Sequence, residues 1–145
     1  MSPFRVLVVD DYEAFRRFVC STLRNSPELQ VVGEASDGLE AVRKAEELRP
    51  DMVVLDLGLP LLNGIKVARR IRQLVPESKI LFLTQETSAD VVQEALSAGA
   101  QGYVVKTKAA ADLLNAVKAV LEGGRFVSSG LNITQAPSKP PPCDS

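Results

Sequence analysis

The sequence predicts an α/β fold: an open, doubly wound parallel sheet of five strands with five helices. Two observations predict it. Short runs of Val, Leu and Ile alternate with amphipathic stretches from Phe4 to about residue 122. The apolar runs are nearly continuous, which suits strands covered by helices on both faces.

Phe4–Val9 (FRVLVV) reads as the first strand, and residues 12–24 as a helix with Phe15, Phe18, Val19, Thr22 and Leu23 on one face. Residues 30–35 form the second strand. Asp37-Gly38-Leu39-Glu40 matches a capping box and opens a helix to about Leu48, which Pro50-Asp51 stops. Met52–Leu55 is the third strand. Asn63-Gly64 starts a helix through Leu74, and Pro76 ends it. Residues 79–83 form the fourth strand. Thr87 or Ser88 caps the next helix, with Val91, Val92, Ala95 and Leu96 inward, and Ala98-Gly99-Ala100 stops it. Gly102–Val105 is a short fifth strand. Residues 109–122 form the last helix, closed by Gly123-Gly124. Residues 4–122 are thus expected to be one domain. Residues 123–145, rich in Ser, Gly, Pro and Asn, read as a disordered tail or truncated linker.

Composition narrows the function. The chain has 145 residues with 46% apolar, enough for a core without disulfide or metal staples. Its 17 basic and 18 acidic residues leave a net charge of −1, so nucleic-acid binding by this chain alone is not expected. Cys20 and Cys143 imply no disulfide framework: one falls in a helical pattern and the other in the Pro-rich tail. Cys20 reads as a small core residue. No run of residues is long enough to span a membrane, and a cytoplasmic location is expected. Histidine is absent, which excludes a Ser-His-Asp triad, a His-ligated zinc site and a phosphohistidine carrier. Asn132-Ile133-Thr134 and the PxxP spacing at residues 137–140 carry no argued role.

In open α/β sheets ligands bind at the carboxyl ends of the strands. Asp10 and Asp11 follow the first apolar run, Asp56 the third, Thr84 the fourth and Lys106 the fifth. Each has a plainer reading alone: an Asp or Thr as a cap, a Lys as solvated surface. Together they gather carboxylates, a hydroxyl and an ammonium on one sheet edge. Crowded carboxylates repel, and a hard divalent cation such as Mg²⁺ resolves the conflict through oxygen ligands. Phosphoryl transfer to a carboxylate needs the same ion, because both reactants are anionic. A hydroxyl and a lysine can hold the remaining phosphoryl oxygens.

On these residues the chain resembles the receiver (CheY-like) domain of two-component response regulators, over about residues 4–122. The carrying motifs are Val8-Val9-Asp10-Asp11, Val53-Val54-Leu55-Asp56-Leu57-Gly58-Leu59-Pro60, Asn63-Gly64, Leu83-Thr84 and Gly99-Ala100-Gln101-Gly102-Tyr103-Val104-Val105-Lys106. The resemblance implies a flavodoxin-like strand order 2-1-3-4-5 and a phosphoryl group accepted on Asp56. It implies Mg²⁺ or Mn²⁺ held by Asp10 (chiefly through water), Asp11, Asp56 and the Gly58 carbonyl, with Thr84 and Lys106 on the phosphoryl group. It further implies a histidine kinase or phosphotransfer protein as donor, no enzymatic turnover beyond self-phosphorylation and dephosphorylation, and an output through dimerisation or partner binding at the face of the fourth helix, fifth strand and fifth helix. Val91, Val92, Ala95 and Tyr103 are expected there. Tyr103 resembles the aromatic switch residue that turns inward as Thr84 moves; the alternative is an ordinary half-buried strand tyrosine.

Thr107 stands where many receivers have proline, and with Gly123-Gly124-Arg125-Phe126-Val127-Ser128 this resembles the NarL/FixJ type, in which a helix-turn-helix DNA-binding domain follows. Residues 123–145 are too few for one, so the chain is expected either to be a fragment or to have lost its output module. Gly58 lies two positions past the acceptor, where larger side chains are common, so a short phosphoryl lifetime is expected. Gln85 and Glu86 border the same site. Three other readings stay open: a haloacid-dehalogenase-like phosphatase, which wants an acid at the Gly58 position; a flavodoxin-like flavin binder, which wants a phosphate-cradling loop where Asp10-Asp11-Tyr12-Glu13 stands; and a pseudo-receiver acting only through protein contacts.

Overall fold

The computed structural model describes residues 2–59 and 62–128. Its elements run β1 (Phe4–Val9), α1 (Glu13–Arg24), β2 (Leu29–Ala35), α2 (Gly38–Leu48), β3 (Met52–Leu55), α3 (Gly64–Leu74), β4 (Lys79–Thr84), α4 (Ala89–Ser97), β5 (Gly102–Val105), α5 (Ala109–Leu121) and β6 (Phe126–Val127). The strands form one parallel sheet in the order β2-β1-β3-β4-β5-β6.

Strand periodicity divides the core into two layers. Leu7, Val9, Val53, Leu55, Ile80, Phe82 and Tyr103 face α2, α3 and α4. Val6, Val8, Met52, Val54, Leu81, Leu83 and Val104 face α1 and α5. Every strand residue of β3 and β5 is therefore buried, which is why those runs carry no polar alternation. Phe82 and Leu113 are wholly buried, one in each layer.

The helix starts obey local chemistry. Asp37 accepts from the Glu40 backbone N–H at 2.8 Å, and Glu40 reaches back to the Ser36 N–H at 2.8 Å, so the box closes one residue further back than the capping residue itself. Asn63 accepts from the Lys66 N–H at the start of α3. Ser88 rather than Thr87 caps α4, accepting from the Val91 N–H. Gly99 has φ +102°, a conformation open to glycine, and ends α4 tightly enough that a Cβ there would meet the Arg72 side chain.

Some expectations need correction. The sheet has six strands, not five, and the sixth lies within the segment read as tail or linker. The Phe126 N–H donates to the Gln101 carbonyl and the Ser128 N–H to the Tyr103 carbonyl, so β6 covers an edge that β5 would otherwise expose. Ser128 is buried, and its hydroxyl accepts from the Val105 N–H and donates to Asp112. A two-residue strand in a Ser/Gly-rich segment has too little periodicity to read. Phe18 is also not inward: it is 38% exposed, while Val19, Cys20 and Leu23 fill that position of the core. The buried Cys20 thiol is pushed up to about 11, chiefly by burial, which makes it unreactive. Cys143 and the motifs of residues 132–140 lie outside the described residues.

Candidate functional site

Register places the site. Val9 pairs with Leu55, and the Asp56 N–H donates to the Val9 carbonyl, so Asp10 and Asp56 emerge side by side. Thr84 pairs with Val105, so Lys106 leaves β5 one residue beyond the hydroxyl. β1 and β3 are adjacent because the chain order reverses there, and a ligand crevice opens at such a point. Gly64 lets α3 begin hard against this strand end: a Cβ there would lie 2.4 Å from the Asp56 carbonyl.

Carboxylate oxygens of Asp10, Asp11 and Asp56 lie within 4.8 Å of one another. Asp10 and Asp56 are buried and Asp11 is exposed. The Lys106 ammonium lies 2.8 Å from Asp10 and 3.4 Å from Asp56. It also sits 4.7 Å from the centre of the Phe15 ring, a cation–π contact that helps hold it in a partly dry setting. Burial works against charge on both partners but with different results. For Asp10 burial dominates, despite the Lys106 bond, and the carboxyl is raised above its ordinary range. For Lys106 burial is outweighed by Asp10 and Asp56 together, and the ammonium is held above its ordinary value. Metal-free, the cluster thus contains a secure cation and a carboxylate that resists ionisation. Oxygen donors so arranged suit a hard divalent cation.

A second chain of contacts leads away from the cluster. Thr84 Oγ1 accepts from the Glu86 N–H at 3.3 Å, and the Tyr103 hydroxyl donates to the Glu86 carbonyl at 2.8 Å. Tyr103 is fully buried, its ring tilted against Phe82. It is therefore not the half-buried strand tyrosine of the alternative reading. Val92, Ala95 and Tyr103 are buried and form no open partner-facing surface, while Val91 is half-buried and lines the site cleft.

The cleft measures about 610 Å³, with Asp11, Asp56, Gly58, Thr84 and Lys106 at its floor and edges. Its walls include residues that the strand-end argument did not find: Tyr12, Lys66, Arg69 and Glu94. Arg16 was likewise missed. It donates to the Asp10 carbonyl at 2.8 Å and to Glu34 at 3.0 Å, bracing the acidic loop from α1. Helical spacing from Tyr12 could have flagged Arg16, which stands one turn on.

Residues 6–118 match the family described as the response regulator receiver domain. The chain belongs to that family. It is 39% identical over 119 residues to the transcriptional regulatory protein LiaR of Bacillus subtilis (strain 168), covering 82% of this chain and 56% of LiaR. Among solved structures, it is similar to a LuxR-family two-component response regulator from Aurantimonas sp. SI85-9A1, with a TM-score of 0.84 and 38% identity over 88% of this chain and 91% of that one. The receiver domain of the putative response regulator NarL from Mycobacterium tuberculosis gives a TM-score of 0.81 at 31% identity, over 85% of this chain and 99% of that one. These relatives identify a NarL/FixJ-type receiver of two-component signalling. The receiver spans about half the length of the curated relatives it matches. No helix among the described residues is long and apolar enough to cross a membrane.

Proposed function

We propose that this receiver is a phosphorylation switch with Asp56 as acceptor. The observation that carries the reading is the juxtaposition of a buried Asp56 with two further carboxylates and the Lys106 ammonium on one sheet edge. Asp10, Asp11, Asp56 and the Gly58 carbonyl would hold Mg²⁺ or Mn²⁺, which supplies charge neutralisation for two anionic reactants. An Asp56 oxygen attacks phosphorus. The bond to the donor nitrogen of a kinase phosphohistidine, or to the acyl oxygen of a small phosphodonor, breaks, and the electron pair leaves with the donor. Lys106 moves its hydrogen bonds from the carboxylates to the phosphoryl oxygens. Thr84 supplies a hydroxyl from the buried end of β4. Because Thr84 Oγ1 already holds the Glu86 N–H, its rotation toward phosphate shifts the loop that Tyr103 grips. That gives the switch a path from the site toward α4 and β5.

The domain's own catalysis ends with phosphoryl uptake and hydrolysis. Its partners are a histidine kinase or phosphotransfer protein and, in the modified state, a second copy or a downstream protein. DNA would be engaged through a separate helix-turn-helix domain and not through this chain. The test is intact mass after incubation with Mg²⁺ and acetyl phosphate, beside an Asp56→Asn control. A metal-dependent gain of one phosphoryl group, absent in the variant, is expected. A folded protein that gains none overturns the reading in favour of a pseudo-receiver, and repeated turnover of phosphomonoesters overturns it in favour of a phosphatase.

A further inference from the structure

We propose that the groove between α2 and α3 docks an acidic amphipathic helix of a partner protein. The groove measures about 570 Å³. Leu39, Val42 and Leu62 supply its apolar floor, and Leu39 is 58% exposed. Arg43, Lys66 and Arg70 rim it, with Glu46 as the one acid among the lining residues. A single exposed leucine is ordinary, but one set over two further apolar residues in a concavity offers an anchor pocket.

Unpaired cations cluster on this face. Four surface cations elsewhere are neutralised locally: Arg17 by Glu13, Lys44 by Glu40, Arg49 by Glu77 and Lys118 by Glu28. α3 carries Lys66, Arg69, Arg70 and Arg72 and no acid. Among the described residues, Arg43, Lys66 and Arg70 form no ion pair. Lys66 and Arg70 stand one helical turn apart, where like charges destabilise the helix. A chain of net charge −1 that concentrates unpaired cations beside an apolar groove is complementary to an acidic, apolar-faced ligand.

The geometry selects among occupants. A trough between two helices receives a third helix through anchors at i, i+4 and i+7. A nucleic-acid backbone would use the cations but leave the apolar floor unfilled. A second copy meeting this face about a two-fold axis would oppose cations to cations.

The experiment uses the full chain and a fluorescent synthetic helical peptide with Leu at i, i+4 and i+7 and Glu on its flanks, followed by anisotropy. Saturable binding that weakens with salt is expected, at least tenfold tighter than for the same peptide with Lys in place of Glu. Leu39→Glu and Arg70→Glu should each weaken it at least tenfold. Arg70→Glu should also recover affinity for a peptide whose facing Glu is changed to Lys. Circular dichroism confirms that both variants are folded. No binding, equal binding of the acidic and basic peptides, or binding indifferent to Leu39→Glu overturns the proposal. So does preferential capture of a short DNA duplex or of phosphatidylglycerol vesicles.

Discussion

α3 separates two concavities that share Lys66 and hold charge in opposite ways. In the strand-end cleft, acids and the Lys106 ammonium lie at bonding distance, two of the carboxylates are buried, and the cation leans on Phe15. In the α2–α3 groove, the cations stand unpaired over an apolar floor. The first arrangement is preorganised: its dipoles and charges are set before a ligand arrives, as charge-transfer chemistry requires. The second leaves its charge to be satisfied from outside, as recognition requires. On the two proposals, the density of charged residues does not distinguish a reaction site from a docking surface. Burial and pairing do.

The largest effect expected to sharpen this contrast comes from Lys106→Ala. Losing one preorganised donor should slow phosphoryl uptake from acetyl phosphate by about a hundredfold. Binding of the acidic peptide to the groove should stay within about twofold, because Lys106 does not line the groove. A parallel loss in both assays would break the comparison.

A smaller change is expected at Gly58. A Cβ there would meet nothing within 4 Å, so a side chain can be added without strain. In Gly58→Asn or Gly58→Arg the new side chain would screen the acyl phosphate from water. Screening worth about 1 kcal/mol slows dephosphorylation roughly fivefold. Decay of the phosphorylated mass with time measures it, and an unchanged lifetime would remove Gly58 from the account.

Asp37→Ala probes the groove through its scaffold. Asp37 caps the helix that carries Leu39 and Val42, and losing a cap costs about 1 kcal/mol. Urea unfolding should show that loss. Peptide affinity should fall with it, while phosphoryl uptake should be little changed.

The subtlest test concerns pH. Asp10 is raised above its ordinary range, first by burial, so the metal-free fold binds its proton more tightly than the unfolded chain does. Between the ordinary carboxylate pKa and the raised one, wild-type stability therefore falls as pH rises. Asp10→Asn removes that penalty. Its melting temperature without metal should exceed the wild type's at neutral pH, and the gap should close as pH falls into the ordinary carboxylate range. Saturating Mg²⁺ should narrow the gap at neutral pH by stabilising the wild type more than the variant. A gap that ignores pH would show that Asp10 carries no burial penalty.

Much of this was legible along the chain. The apolar runs located β1, β3, β4 and β5 because strands covered on both faces cannot alternate with polar residues. The strand ends then named Asp10, Asp11, Asp56, Thr84 and Lys106, since a parallel sheet delivers the ends of its strands to one edge. Asp37 and Asn63 announced their helices because capping is local chemistry. Tertiary structure alone decided the rest. β6 exists because β5 offers an unpaired edge, and two residues carry no period of their own. Phe15 came to lie under Lys106, and Arg16 behind Asp10, through the packing of α1 against the sheet. Phe18 was left partly in solvent, although its spacing matches its buried neighbours. The groove at Leu39 required α2 and α3 to be set side by side. Periodicity determines which face of an element is apolar. Only the assembled fold determines what that face meets, because the contact depends on residues far away in the chain.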